Sequence, residues 1–184
     1  MKIYVASSWR NPWQPAVVGL LRSLGHDVYD FREPIPGDNG FHWSEVDPEW
    51  RQWTAERYRK GLKHEIARRG FKSDADALQW ADACVAVQPY GTSTAIEVGW
   101  AAGAGKRTSI LFPIGMPVTA IGGHSVDENV RCDVCVSSPC GTCALPGRLR
   151  KVEPELMVLL ADALLIGEKE LTEWATDDWP RKKS

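Results

Sequence analysis

Short apolar runs alternate with amphipathic stretches along the first 112 residues of this chain. Lys2-Ile3-Tyr4-Val5-Ala6 is apolar and β-rich, which predicts a buried strand. Ser7-Ser8-Trp9-Arg10-Asn11 is the turn after it. Pro12 opens a stretch in which Val17, Val18, Leu20, Leu21 and Leu24 recur at helical spacing, ended by Gly25. Asp27 to Phe31 reads as a second strand. Residues 32–53 have no period and carry prolines, glycines and three tryptophans; a loop of that length predicts a functional role. A basic helix is expected over 54–69 and a short one from Asp74 through Ala81. Ala83–Val87 is a third strand, Thr94–Ala104 a small-residue helix expected to be buried, and Arg107–Phe112 a fourth strand.

Strand, helix and strand joined by short connections signal a parallel α/β sheet. The expected fold is a doubly wound, flavodoxin-like or Rossmann-like parallel sheet of four or five strands within one domain spanning 1–184. Residues 113–150 break the pattern: they are rich in Gly, Pro, Ser and Cys and read as an inserted loop. Leucines and alanines over Glu153–Ile166 predict a final helix, and a polar tail follows from Trp174.

Composition narrows the function classes. The 184 residues are 43% hydrophobic and 25% charged, which excludes a disordered or collagen-like chain. With 22 basic and 24 acidic residues the formal charge is −2, so no electrostatic footprint for nucleic acid is implied. No apolar run is long enough to span a bilayer, and the N-terminal apolar stretch is too short for a signal peptide. A soluble, cytoplasmic protein is expected.

Three stretches could carry chemistry. Ligands of open α/β sheets bind outside the carboxyl ends of the strands. The turn Ser7–Asn11 would sit there, with backbone amides, a helix N-terminus and the Arg10 guanidinium suited to an anion. An ordinary strand–helix turn with a serine cap explains it equally well. Glu97 in Thr94-Ala95-Ile96-Glu97-Val98-Gly99-Trp100-Ala101 would lie near the carboxyl end of the third strand, where a helix dipole favours its ionised form. Thr94 followed three residues later by Glu97 equally fits a capping box. Asp74 fits a helix cap as well as a catalytic acid.

Asp74, then Ala81-Asp82 before a strand, a turn, and Glu97-Val98-Gly99-Trp100-Ala101 together resemble the nucleoside 2-deoxyribosyltransferase superfamily, which includes the 2'-deoxynucleoside 5'-phosphate N-hydrolases. Ile3-Tyr4-Val5-Ala6-Ser7-Ser8-Trp9-Arg10 is similar to that family's first strand and loop, with Ser7 where the hydrolases have glycine. The resemblance covers about residues 2–112. It implies Glu97 as the nucleophile on the anomeric carbon, Asp74 as the acid that orients the sugar and handles the proton, and Tyr4 as the residue that positions the nucleophile. It matches Ser8 and Arg10 to the loop that meets the 5' end of the nucleotide in the phosphate-using branch, with Ser7 and Trp9 of the same loop as further substrate-binding candidates. The family often has Asp or Ser six residues before the glutamate; here that position is Gly91, with Ser93 nearby. A nucleobase needs an aromatic slot, for which Trp9, Phe41, Trp43 and Trp53 are candidates, each also a candidate core residue.

The implied activity is cleavage of the N-glycosidic bond of a (deoxy)nucleoside 5'-monophosphate, with base exchange on free deoxynucleosides as the alternative. No organic cofactor is implied. Family sites are commonly finished by a neighbouring subunit, so a homodimer is expected. The small residues Ala95, Gly99, Ala102 and Gly103 and the large Trp100 suit close helix contact. A binding sensor without turnover, or an interaction module built on the insert, are readings of other classes. Possession of both Asp74 and Glu97 argues against the first, and the few basic residues of the insert against the second.

Cys132-x-x-Cys135-x4-Cys140-x-x-Cys143 holds four of the five cysteines. Two Cys-x-x-Cys pairs can supply four thiolates to a tetrahedral zinc, and a Gly/Pro-rich insert without a core of its own needs such a staple. Disulfides, an iron–sulfur cluster and His124 as a substitute ligand are the alternatives. Cys84, inside a strand, reads as a small buried residue. Because closed thiolate sites leave no open position, the zinc is expected to be structural. Metal analysis of protein purified without chelator is expected to find about one zinc per chain. A metal-free protein with two intact disulfides would refute the zinc.

Overall fold

The computed structural model describes residues 1–116 and 160–177. Five strands, β1 (Lys2–Ala6), β2 (Asp27–Tyr29), β3 (Ala83–Val87), β4 (Arg107–Phe112) and β5 (Ala163–Ile166), form one sheet in the order β2-β1-β3-β4-β5. All four pairings are parallel. This is the flavodoxin-like doubly wound order, and its topological switch point lies between β1 and β3. The cysteine pairs lie outside the described residues.

β1, β3 and β4 end where the apolar runs predict, because strands covered on both faces are almost continuously hydrophobic. Ile3, Val5, Val85, Val87 and Leu111 pack on one face under α1 (Gln14–Ser23) and α5 (Gly167–Thr176), which add Val17, Leu21, Leu171 and Trp174. Tyr4, Ala6, Cys84, Ala86 and Ile110 face the other side. There α3 (Glu65–Trp80) contributes Ala77 and Leu78, and α4 (Thr92–Gly103) contributes Val98 and Ala101. Burial of these side chains, roughly 1.5–3 kcal/mol for each large one, is what holds the layers together.

Several expected boundaries are corrected. The second strand stops at Tyr29 rather than Phe31. The basic helix is only α2 (Ala55–Gly61); after a break at 62–64, where His64 caps the next helix, α3 runs unbroken through Asp74. Asp74 is therefore mid-helix and caps nothing. The gap expected between residue 69 and Asp74 does not occur, and Gly70 within it makes room for Phe41: a Cβ there would lie 2.7 Å from the Phe41 Cβ.

Residues 153–159 of the expected final helix lie outside the described residues, and the end of that stretch is a strand instead. Ala163–Ile166 is β5, and Gly167 turns the chain with φ +72° into α5, which buries Trp174 of the expected polar tail. A four-residue apolar run has no period that separates a strand from a helical turn. Helix α4 begins at Thr92 with Gly91 as N-cap. Thr94 lies inside the first turn and is buried, so the Thr94–Glu97 capping box is absent. Nor is α4 buried throughout: Ile96 is 66% and Trp100 44% exposed.

Candidate active site

The carboxyl ends of β1 and β3 are laced together. Asn11 is buried, and its Nδ2 donates to the carbonyls of Val87 at 2.9 Å, Gln88 at 3.0 Å and Pro89 at 3.2 Å. Its Oδ1 accepts from the Trp13 amide at 3.0 Å. Ser7 Oγ donates to the Val87 carbonyl at 3.1 Å. On the outer side, Arg32 Nη2 donates to the carbonyls of Ser8 at 3.1 Å, Trp9 at 2.8 Å and Asn11 at 2.9 Å. Three side chains thus fix the β1–α1 loop and the β3–α4 turn, which contains a cis Gln88–Pro89 bond.

Two tyrosine–carboxyl pairs stand side by side on the α3–α4 face, next to this crevice. Tyr4 Oη donates to Glu97 Oε1 at 3.2 Å. Tyr29 Oη donates to Asp74 Oδ1 at 2.8 Å and lies 3.0 Å from Ser73 Oγ. The rings of Tyr4 and Tyr29 are stacked, with centroids 5.3 Å apart and planes inclined by 17°. The stack follows from parallel pairing, which sets Tyr4 opposite Tyr29 in the register. Each carboxyl comes from a different helix, Asp74 from α3 and Glu97 from α4.

Burial dominates the electrostatics. It pushes the Glu97 carboxyl up to about 7, the neighbouring Asp74 charge adds to the rise, and the Tyr4 hydroxyl opposes it. Burial likewise pushes Asp74 up to about 6 against the hydrogen bond from Tyr29. Glu97 sits in the second turn of α4, and its proton is held more tightly than usual, contrary to the dipole argument for its ionised form. Both tyrosines are pushed above their ordinary range, mainly by burial, so they remain donors. Near neutral pH the crevice can present one carboxylate and one carboxylic acid, an arrangement suited to nucleophilic attack paired with proton transfer.

Of the residues singled out in the sequence, Tyr4, Asp74 and Glu97 come together here. Ser7, Ser8, Trp9 and Arg10 line the β1 end, and Gly91 and Ser93 the start of α4. Trp9 packs against Phe31 and His42. The remaining aromatic candidates sit in a separate cluster: Phe41 meets Trp43, which meets Trp53 and Tyr58. A hollow of about 340 Å³ between Trp43, Trp50, Trp53, Thr54, Ala55 and Tyr58 includes neither carboxyl. Tyr29 and Arg32 were not singled out, and Asn11 only as the last residue of the Ser7–Asn11 turn.

No protein-family model matches the sequence, and no curated protein matches it. The chain is similar to the solved structure of a 2-deoxyribosyltransferase from the psychrotolerant bacterium Bacillus psychrosaccharolyticus, with 27% identity and a TM-score of 0.40. The match covers 65% of this chain and 77% of that one.

The raised Glu97 carboxyl has a consequence for stability. Its pKa rises from an ordinary 4.5 to about 7 on folding, so between these values the folded state holds a proton that the unfolded chain releases. The contribution is fully present below the lower value and is lost as pH rises through the upper one. Glu97→Gln, which does not titrate, should gain stability relative to the parent as pH rises across that window. Denaturant titrations at several pH values check this; a difference that does not change with pH would show that Glu97 is not desolvated.

Proposed function

We propose that this protein cleaves the N-glycosidic bond of a 2'-deoxynucleoside through Glu97 and passes the deoxyribosyl group to a second base. The observation that carries this reading is the paired Tyr4–Glu97 and Tyr29–Asp74 contacts on the site face at the β1/β3 switch point. The resemblance of the Asp74…Glu97-x-Gly-x-Ala pattern to the nucleoside deoxyribosyltransferase superfamily supports it. The similar solved protein is described as a biocatalyst for nucleoside synthesis.

The residues support a balanced double displacement. Glu97 holds its proton more tightly than Asp74, so the reacting species is the less populated tautomer of the singly protonated pair, with Glu97 ionised and Asp74 protonated. In it, with Tyr4 holding Oε1, the other oxygen of Glu97 attacks the anomeric carbon, and the bond to the base breaks. The departing nitrogen takes the proton of the Asp74 carboxyl, because a base anion is a poor leaving group. A deoxyribosyl ester on Glu97 results. An incoming base then attacks the same carbon, loses its proton to Asp74 and frees Glu97. Water in place of the second base gives hydrolysis.

A second reading, hydrolysis of a 5'-monophosphate, is favoured by Ser8 and Arg10 on the loop fixed by Arg32. Gly91, in place of a side chain toward the 5' end, favours the free nucleoside. Free base should appear when the protein meets its best deoxynucleoside, and a new nucleoside when a second base is added. Glu97→Ala should lower turnover by several orders of magnitude, and Glu97→Gln should still bind substrate. Near-normal base release by Glu97→Ala would refute the assignment. Faster release from monophosphates, with no exchange, would select the second reading.

We further infer that the chain acts as a homodimer through α4. Ile96 and Trp100 are exposed on the helix that carries Glu97, and apolar surface left in water favours association. Two-fold assemblies are the commonest closed oligomers. Light scattering should report a dimer that Ile96→Lys dissociates; a fully active monomeric parent would refute the inference.

A further inference from the structure

Tyr29 makes contacts that a strand-end residue does not need for folding alone. Its hydroxyl lies between Ser73 Oγ at 3.0 Å and Asp74 Oδ1 at 2.8 Å. A phenol has one hydrogen, so when that hydrogen goes to the carboxylate, the Ser73 hydroxyl must supply its own to the phenol oxygen. The order Ser73 to Tyr29 to Asp74 is then fixed at every link. Meanwhile the Tyr29 ring is stacked on Tyr4, whose hydroxyl holds Glu97. The two carboxyls belong to different helices, and this pair of rings is a direct physical link between them.

We propose that Tyr29 is a positioning residue. Its hydroxyl, oriented by Ser73, directs one oxygen of Asp74 and leaves the other to face the substrate. Its ring, through Tyr4, keeps that carboxyl in a fixed relation to Glu97. The inference rests on the deoxyribosyl-transfer reading for its catalytic consequence, but not for its structural one. Asp74 needs such a hold because an aspartate on the middle of a helix has two free side-chain torsions, and a general acid must keep its oxygen within hydrogen-bond reach of the proton's destination.

The groups around this carboxyl define what a change in the hydroxyl would do. Tyr4 faces it from β1, Tyr29 from β2, Cys84 lies beyond on β3, and Glu97 stands on α4. Asp38, from the long loop, acts on Tyr29. Cys84 is buried and its thiol is pushed up, mainly by burial, so it remains neutral. Glu97 and Asp38 are the acidic neighbours named here, and both oppose ionisation near them. Tyr29 supplies the hydrogen bond that favours the ionised form of Asp74.

The test is Tyr29→Phe, which keeps the ring and removes the hydroxyl, read first without substrate. Carbon-detected NMR titration of the Asp74 carboxyl in the full chain should give an apparent pKa higher in Tyr29→Phe than in the parent by about one unit. Ser73→Ala should move it the same way by less. In turnover, kcat should fall about tenfold with KM little changed, and the alkaline limb of the pH profile should move up. An Asp74 titration unchanged in Tyr29→Phe would overturn the proposal, as would a loss of kcat matched by a rise in KM and no shift of the limb. Should Tyr29→Phe not fold, Ser73→Ala decides by the same readings. If the parent releases no base, the deoxyribosyl-transfer reading fails while the carboxyl titration still decides whether Tyr29 holds Asp74.

Discussion

Bringing two carboxyl groups together in a partly buried crevice costs free energy twice, through lost hydration and through mutual repulsion. This fold offsets the cost with hydroxyl donors rather than cations: Tyr4 for Glu97, Tyr29 for Asp74. The difference matters chemically. A guanidinium or ammonium would hold both groups ionised, with no acid left to deliver a proton. A phenol stabilises the anion less, so burial prevails and both carboxyls stay near neutral pKa values. The remainder of the site follows from keeping those two hydroxyls in place, which needs β1 and β2 in the one register that stacks the rings.

Helix α4 has to deliver Glu97 to Tyr4 while its own far side remains exposed. It does so from a short turn after β3, whose three successive carbonyls are held by Asn11. Leaving those carbonyls without a donor would cost roughly 1–3 kcal/mol each where they are buried. The amide therefore ties the start of α4 to the end of β1. Tyr4, at the centre of β1, and Glu97, in the second turn of α4, are two ends of one rigid path.

Much of the fold was legible because three strands are buried on both faces. Such strands read as unbroken apolar runs, and β1, β3 and β4 coincide with theirs. The failures have local causes. The helices expected over 54–69 and from Asp74 left a gap that α3 closes, and within it the missing side chain of Gly70 is a packing requirement of Phe41. Thr94 looked like a cap because Thr-x-x-Glu is a capping pattern, while the actual cap is the bare backbone of Gly91. Ala163–Ile166 was too short to show a period. Tyr4, Asp74 and Glu97 could be grouped only through the resemblance, since they are far apart in the chain. Tyr29 was not recognisable, because its role depends on which strand pairs with which, and no local pattern encodes that.

The aromatic residues of the long loop illustrate the converse. Trp43 and Trp53 contact each other and Tyr58 in a half-exposed aromatic cluster set apart from the two core layers. Trp9 differs because it lies at the end of β1. The carboxyl ends of parallel strands present carbonyl oxygens to the crevice, a surface that repels the oxygens of a sugar or phosphate. Arg32 and Asn11 between them donate to six carbonyls: those of Ser8, Trp9 and Asn11, and those of Val87, Gln88 and Pro89. Those donors offset the repulsion at the strand ends. Ser8 Oγ accepts from the Arg10 amide at 3.3 Å within the same loop. One half-buried guanidinium and one buried amide thus occupy the backbone acceptors at the carboxyl ends of β1 and β3.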